Sequence, residues 1–160
     1  MKAPPRDCPC HSGLRYPVCC AALHIGALEA PSPERLMRSR YAAFALGLGA
    51  YLVSTLATTH PDLALPREAL LRELSRARER QRFLGLSILS ATSTPPTGEV
   101  LFYARVFERG ADRSFAELSQ FVLEGGRWKY ASGVARPRAL LPAALESMTR
   151  EAFLRIAEAS

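Results

Sequence analysis

Four cysteines, Cys8, Cys10, Cys19 and Cys20, are the only ones in the chain, and they stand in two close pairs near its start. Thiolates are soft donors, and four of them in a short reduced segment can surround one tetrahedral cation, of which zinc is the usual occupant. Ser12-Gly13 supplies a turn between the pairs, where glycine takes a left-handed conformation without penalty. Such a site is worth roughly 10–16 kcal/mol in small peptides, enough to fold a segment that has no apolar core. Disulfides are the competing use. A Cys8–Cys10 bridge and a vicinal Cys19–Cys20 bridge would both be strained by disulfide geometry, so the spacing points to metal. His11 and His24 could also ligate, but beside four thiolates they are expected to be exposed or to support the ligands.

Residues 1–24 hold all the Cys with four Pro and little apolar material, as a metal-stapled module would. Residues 25–32 read as a linker. Ser32-Pro33-Glu34 then marks a helix start, with Ser as N-cap and Pro in the first turn. Leu36, Met37, Tyr41, Phe44 and Leu48 continue it at helical spacing until Gly47 and Gly49. A second helix is expected over 50–58, stopped by His60-Pro61, and a third opens at Pro66. Beyond it the period changes to two, and 83–92, 99–109, 113–124 and 127–132 read as strands. Helices followed by an antiparallel meander define an α+β fold. On 115–123, Phe115, Glu117, Ser119, Phe121 and Leu123 share one face and Leu118 and Val122 the other, so both faces need cover. A helix over 139–158, with Leu141, Leu145, Met148, Ala152 and Ile156 on one side, can supply it.

The chain of 160 residues carries a formal charge of +6, and half of that excess falls on residues 66–82. Arg72, Arg76 and Arg80 form a stripe there, expected to be a solvated helix face partly paired through Glu68 to Arg72. No aromatics interleave with it, so nucleic acid is not an expected partner. No apolar stretch reaches the ~18 residues of a membrane span. The first seven residues have no apolar run behind their charges, so no secretory signal is expected and the cytoplasm is the default compartment.

Cys8-Pro9-Cys10-His11-Ser12-Gly13-Leu14-Arg15-Tyr16-Pro17-Val18-Cys19-Cys20 resembles the SEC-C motif, a zinc module also found at the tail of the SecA translocation ATPase. The motif's ligand positions fall on the four cysteines, and His11 stands where glycine is usual. The chain also resembles the uncharacterised YchJ family from residue 8 to about 133. That likeness rests on Leu36-Met37-Arg38-Ser39-Arg40-Tyr41-x-Ala43-Phe44, Thr59-His60-Pro61, Leu84-Gly85-Leu86, Glu117-x-Ser119-x-Phe121 and Gly126-Arg127-Trp128-x-Tyr130-x-x-Gly133. It implies a zinc module over 1–24, a cone similar to nuclear transport factor 2 over 30–133, and a C-terminal helix over 134–160. Some such relatives end in a second SEC-C module, where this chain ends in an apolar–charged helix.

The resemblance nominates Arg38, Arg40, Tyr41, His60, Glu117, Ser119, Trp128 and Tyr130 as pocket residues. Arg38 and Arg40 diverge on a helix, so at most one points inward. His60 would serve as a base with Glu117 orienting it if the two meet. Otherwise Glu117 is expected to pair with Arg38 or Arg40, and His60 to bond backbone beside Pro61. Trp128 and Tyr130 are expected as core. Cone enzymes that isomerise ketosteroids use an Asp base and a Tyr–Asp oxyanion hole, and these strands carry no such pair. No catalytic residue is assigned, and the reading leans against an enzyme. Two functions follow. One is a non-enzymatic zinc-binding adaptor whose module meets a protein partner, as the module of SecA meets an export chaperone and the ribosome. The other is a small-molecule-binding or catalytic cone with structural zinc. A deep pocket with converging Arg, His and Glu would favour the second, and a filled cone the first.

Overall fold

The computed structural model describes residues 7–160. The start of the expected module, at 1–6, and most of the stretch read for a secretory signal lie outside the described residues. After a 3-10 turn at Tyr16–Val18, the helices are α1 (Ala21–His24), α2 (Pro33–Leu46), α3 (Gly49–Ser54), α4 (Arg67–Ser75) and α5 (Ala77–Arg80). The strands are β1 (Gln81–Thr94), β2 (Thr97–Glu108), β3 (Ala111–Asp112), β4 (Phe115–Glu124) and β5 (Arg127–Pro137), and α6 (Arg150–Ala159) closes the chain. The sheet is antiparallel in the order β1-β2-β4-β5, with the short β3 beside β2. No helix among the described residues is long and apolar enough to cross a membrane.

α2 begins as the sequence dictates, with the Ser32 hydroxyl accepting from the Arg35 amide at 3.2 Å. It ends at Gly47, whose φ of 72° is left-handed. Its inner side, Leu36, Met37 and Tyr41, packs on the sheet face made by Leu86, Val100, Phe102, Ala104, Val106, Phe121 and Trp128. The opposite face, Leu101, Ala116 and Leu118, lies under Leu141, Met148 and Phe153. Both sheet faces are therefore covered, and the C-terminal segment is the second cover.

Register breaks between Phe83 and Gly85, Ile88 and Ser90, and Gln120 and Phe121 curve the sheet around α2. At the first break the Tyr41 hydroxyl donates to the Gly85 carbonyl at 2.9 Å and accepts from the Gly85 amide at 3.2 Å.

Three expected boundaries move. α3 stops at Ser54 because the next residues pair with β5: Ala57 N donates to Tyr130 O, and Tyr130 N to Thr55 O, each at 2.8 Å. The third helix divides at Arg76 into α4 and α5. Residues 133–137 extend β5 beyond 132, and the C-terminal helix is shorter than 139–158 because a 3-10 turn and Pro142 interrupt its start. The Arg138 guanidinium donates there to the carbonyls of Leu141, Pro142 and Ala143. α6 is then capped by Thr149, whose hydroxyl accepts from the Ala152 amide at 3.1 Å.

Candidate functional site

Two sites lie on opposite sides of α2. In the first, Asp7 bridges Arg15, and Cys8 N donates to Leu14 O at 2.9 Å, closing a small hairpin. Its turn carries Cys10, with His11 at φ 60° in the left-handed region that favours glycine. The 3-10 turn at Tyr16–Val18 and the start of α1 present Cys19 and Cys20 to that hairpin. All four sulfurs are buried, unbridged and within 4.8 Å of one another. Tetrahedral Zn–S bonds of about 2.3 Å put sulfurs about 3.8 Å apart. Cys10 and Cys19 stand at 3.6 Å, and Cys19 and Cys20 at 3.9 Å. The cluster has the size and chemistry of a structural metal centre.

The electrostatics agree. Hydrogen bonds from Cys20 and Cys8 hold the Cys10 thiol far below its ordinary pKa. Hydrogen bonding to Cys10 raises Cys8 to about 11 and lifts Cys20 as well. One thiolate is thus cradled by thiols whose protons a cation would displace. α2 supports the cluster from outside. Arg35 Nη1 donates to Cys19 Sγ at 3.7 Å and Nη2 to Cys19 O at 3.3 Å, while Arg38 Nη1 donates to Cys10 O at 3.0 Å.

His24 does not join the ligands. Its Nε2 donates to the Ser39 carbonyl at 2.8 Å, so Nδ1 is the acceptor of the Tyr16 hydroxyl at 2.8 Å. Burial lowers its pKa, in keeping with a neutral ring. His11 is exposed, beside the Tyr41 ring.

The second site is a cavity of about 410 Å³ between α2 and the sheet, walled by aromatics such as Phe83, Phe102, Phe115 and Phe121. Arg40, Tyr41, His60, Glu117, Ser119 and Tyr130 all line it. Arg40, only 7% exposed, donates through Nη1 to Leu52 O at 2.7 Å and Thr55 Oγ1 at 2.5 Å. Desolvation pulls its pKa down to about 10, against the opposing pull of Tyr130 and more distant anions. Glu117 Oε2 accepts from Ser119 Oγ at 2.5 Å and from Tyr130 Oη at 2.9 Å. Burial, and then the Glu117 charge, raise the Tyr130 phenol, which keeps its proton and donates. Burial likewise pushes Tyr41 up to about 12.

Several expectations need correction. Arg38 turns to Cys10, so of the two arginines only Arg40 faces the cavity. Trp128 is buried in the same core but lines a separate crevice near α1. Glu117 is held by hydroxyls, and no arginine lies within ion-pair distance of it among the described residues. His60 and Glu117 share the cavity without a hydrogen bond between them. His60 Nδ1 instead accepts from the Asp62 amide at 3.1 Å, the backbone bond expected beside Pro61. On the basic stripe it is Arg80 that pairs, with Glu73 at 2.9 Å, rather than Arg72 with Glu68.

Sequence reasoning missed Arg35, although its i, i+3 spacing to Arg38 places both on the helix face that meets the cysteines. It also missed Asp62 and Thr55, for which no local pattern existed.

A curved antiparallel sheet closed by helices around a cavity, with a buried four-cysteine knuckle on the first long helix, defines a cysteine-knuckle cone protein. The YchJ middle domain, itself nuclear-transport-factor-2-like, matches residues 32–133. Relatives include UPF0225 protein BPP1723 of Bordetella parapertussis, 40% identical over 85% of this chain and 100% of that one. UPF0225 protein YchJ of Shigella dysenteriae is 37% identical over 82% of this chain and 84% of its own length. The solution structure of RPA3114, a SEC-C motif containing protein from Rhodopseudomonas palustris, is 37% identical with a TM-score of 0.68. That likeness covers 79% of this chain and 95% of RPA3114. The chain belongs to the YchJ family.

Proposed function

We propose that this protein is a zinc-stapled cone that binds a small organic molecule. The observation that carries the reading is the cavity, of a size that small ligands fill, in which aromatic walls meet the polar heads of Arg40, His60 and Glu117. A core that existed only to support an adaptor would be filled by side chains. Four free thiols at tetrahedral spacing support zinc as the resident ion, and thiols kept reduced fit a cytoplasmic setting.

The test is a screen of small aromatic and aliphatic organics by ligand-observed NMR on the full-length protein. Ala104, 1% exposed, lines the cavity, so Ala104→Leu should fill it and abolish binding of the hits. Hits that bind the variant as well as the wild type would place the ligand elsewhere and defeat the reading.

A specific observation also favours the adaptor reading. Leu14, Val18, Ile25 and Leu28 are 53%, 74%, 79% and 63% exposed, all on or just after the knuckle. Apolar side chains grouped this way suit a protein contact. Val18→Glu and Ile25→Glu in the full chain should abolish any specific partner captured by the wild type, with the metal content unchanged.

A further inference from the structure

Arg40 is a cation inside an apolar chamber, and its donors are not all used. Nη1 bonds Leu52 O and Thr55 Oγ1. Among the described residues neither Nε nor Nη2 has an acceptor, yet no side-chain nitrogen or oxygen that is sealed off lacks a partner. Those two donors therefore retain some exposure, on a side chain that lines the cavity. No carboxylate lies within ion-pair distance of the guanidinium among the described residues. The Tyr130 ring, 4.9 Å from the guanidinium carbon, is its main contact on the sheet side.

The other charged or titratable groups facing the chamber are Glu117, Asp62, His60 and the phenols of Tyr41 and Tyr130. Asp62 stands 4.0 Å from His60 Nδ1 with its side chain 47% exposed, so solvent screens it. Glu117 forms no ion pair with Arg40 among the described residues, and its Oε2 already accepts two hydroxyl hydrogen bonds. Its Oε1 has no partner among the described residues. A buried cation with open donors is stabilised most by an anion that enters with it.

We infer that the cone takes an amphipathic organic acid, with its carboxylate on the open face of Arg40 and its apolar body against Phe83, Phe102 and Phe115. This inference rests on the ligand-binding reading above and narrows it to one chemical class.

The test compares two probes of equal shape, 2-naphthylacetate and 2-naphthylacetamide, titrated into the metal-loaded full-length protein at pH 7. A charge-assisted bond to a desolvated guanidinium should favour the acid by about tenfold or more. Arg40→Gln should erase that preference. Because Arg40→Gln also removes the bonds to Leu52 and Thr55, Glu117→Gln provides a second variant. It keeps an acceptor for Ser119 and Tyr130 while deleting the competing charge, so it should tighten the acid severalfold and leave the amide unchanged. Equal affinity of the two probes for the wild type, or a Glu117→Gln variant that tightens neither, overturns the assignment of an acid while leaving a ligand-binding cone standing. If neither probe binds and the organics screen yields no hit sensitive to Ala104→Leu, both readings fall.

Discussion

Arg40 and Glu117 carry opposite charges in one cavity, form no ion pair with each other, and both contact Tyr130. The Tyr130 ring faces the Arg40 guanidinium at 4.9 Å, and its hydroxyl donates to Glu117 at 2.9 Å. The ring thus bonds both charged groups through different parts of one side chain.

Tyr130→Phe separates those two roles. The ring under Arg40 remains, and one of the two hydroxyl donors to Glu117 is lost. The expected cost is about 1–2 kcal/mol. Tyr130→Ala also opens a void and removes the cation–π contact, at about 3–5 kcal/mol. Urea unfolding of both variants checks the order, and equal losses would contradict it.

The protein as purified should carry one zinc per chain. Cys19→Ser should lose it, because the remaining three sulfurs leave the tetrahedron open. Arg35 then loses its sulfur acceptor, and residues 8–24 should lose their dispersed amide resonances while the cone still melts in one transition. Metal analysis and amide NMR read both effects. A full zinc complement in the variant would contradict the four-cysteine set.

Acid should release the C-terminal cover before it unfolds the cone. Glu99 accepts from Arg150 Nε at 2.5 Å and from Arg150 Nη2 at 2.8 Å, and these bonds hold its carboxyl below the ordinary 4.5. A depressed carboxylate pKa contributes stability that is fully present above the ordinary value and is lost as pH falls through the folded one. α6 amides should therefore lose exchange protection below about pH 4.5. In Glu99→Gln their protection should be weaker at pH 7 and nearly flat across that window.

Gly133→Ala should destabilise the bonded Glu117–Tyr130 pair that it backs. A Cβ at Gly133 would crowd the Glu117 carboxylate and the Tyr130 hydroxyl, which are bonded to each other and have little room to give. Overpacking of this kind costs about 1–3 kcal/mol. Denaturant midpoints measure it, and an unchanged midpoint would mean that the Glu117 carboxylate is freer than its bonds imply.

Where local chemistry decided the structure, the sequence was legible. Ser32, Pro33 and Gly47 bound α2 because caps act within a few residues, and the period-two runs gave the long strands because alternation reflects the two covered faces. The cysteine cluster was readable because four thiols so close in sequence can converge on one point with little help from the rest of the chain. What failed depended on distant partners. α3 ends early because β5 takes its next backbone groups, and the 139–158 pattern ignored Pro142 and the carbonyls that Arg138 gathers. For the cavity, residue types and spacing nominated Arg40, His60, Glu117 and Tyr130 but could not say who bonds whom. The expected Arg–Glu pair gave way to hydroxyls because the Ser119 side chain reaches Glu117 along one strand and Tyr130 reaches it from the neighbouring one.

The Tyr41 hydroxyl at Gly85 has a bearing on how these molecules behave together in a crowded cell. β1 is an outermost strand, fourteen residues long, and a straight exposed edge of that length invites another chain to add a strand. Its register breaks bend that edge out of line at two places. At the first, Tyr41 occupies both the amide and the carbonyl of Gly85 from inside the fold. A core tyrosine thereby pins the bend in that edge, so the strand offers an incoming chain no long straight template for pairing.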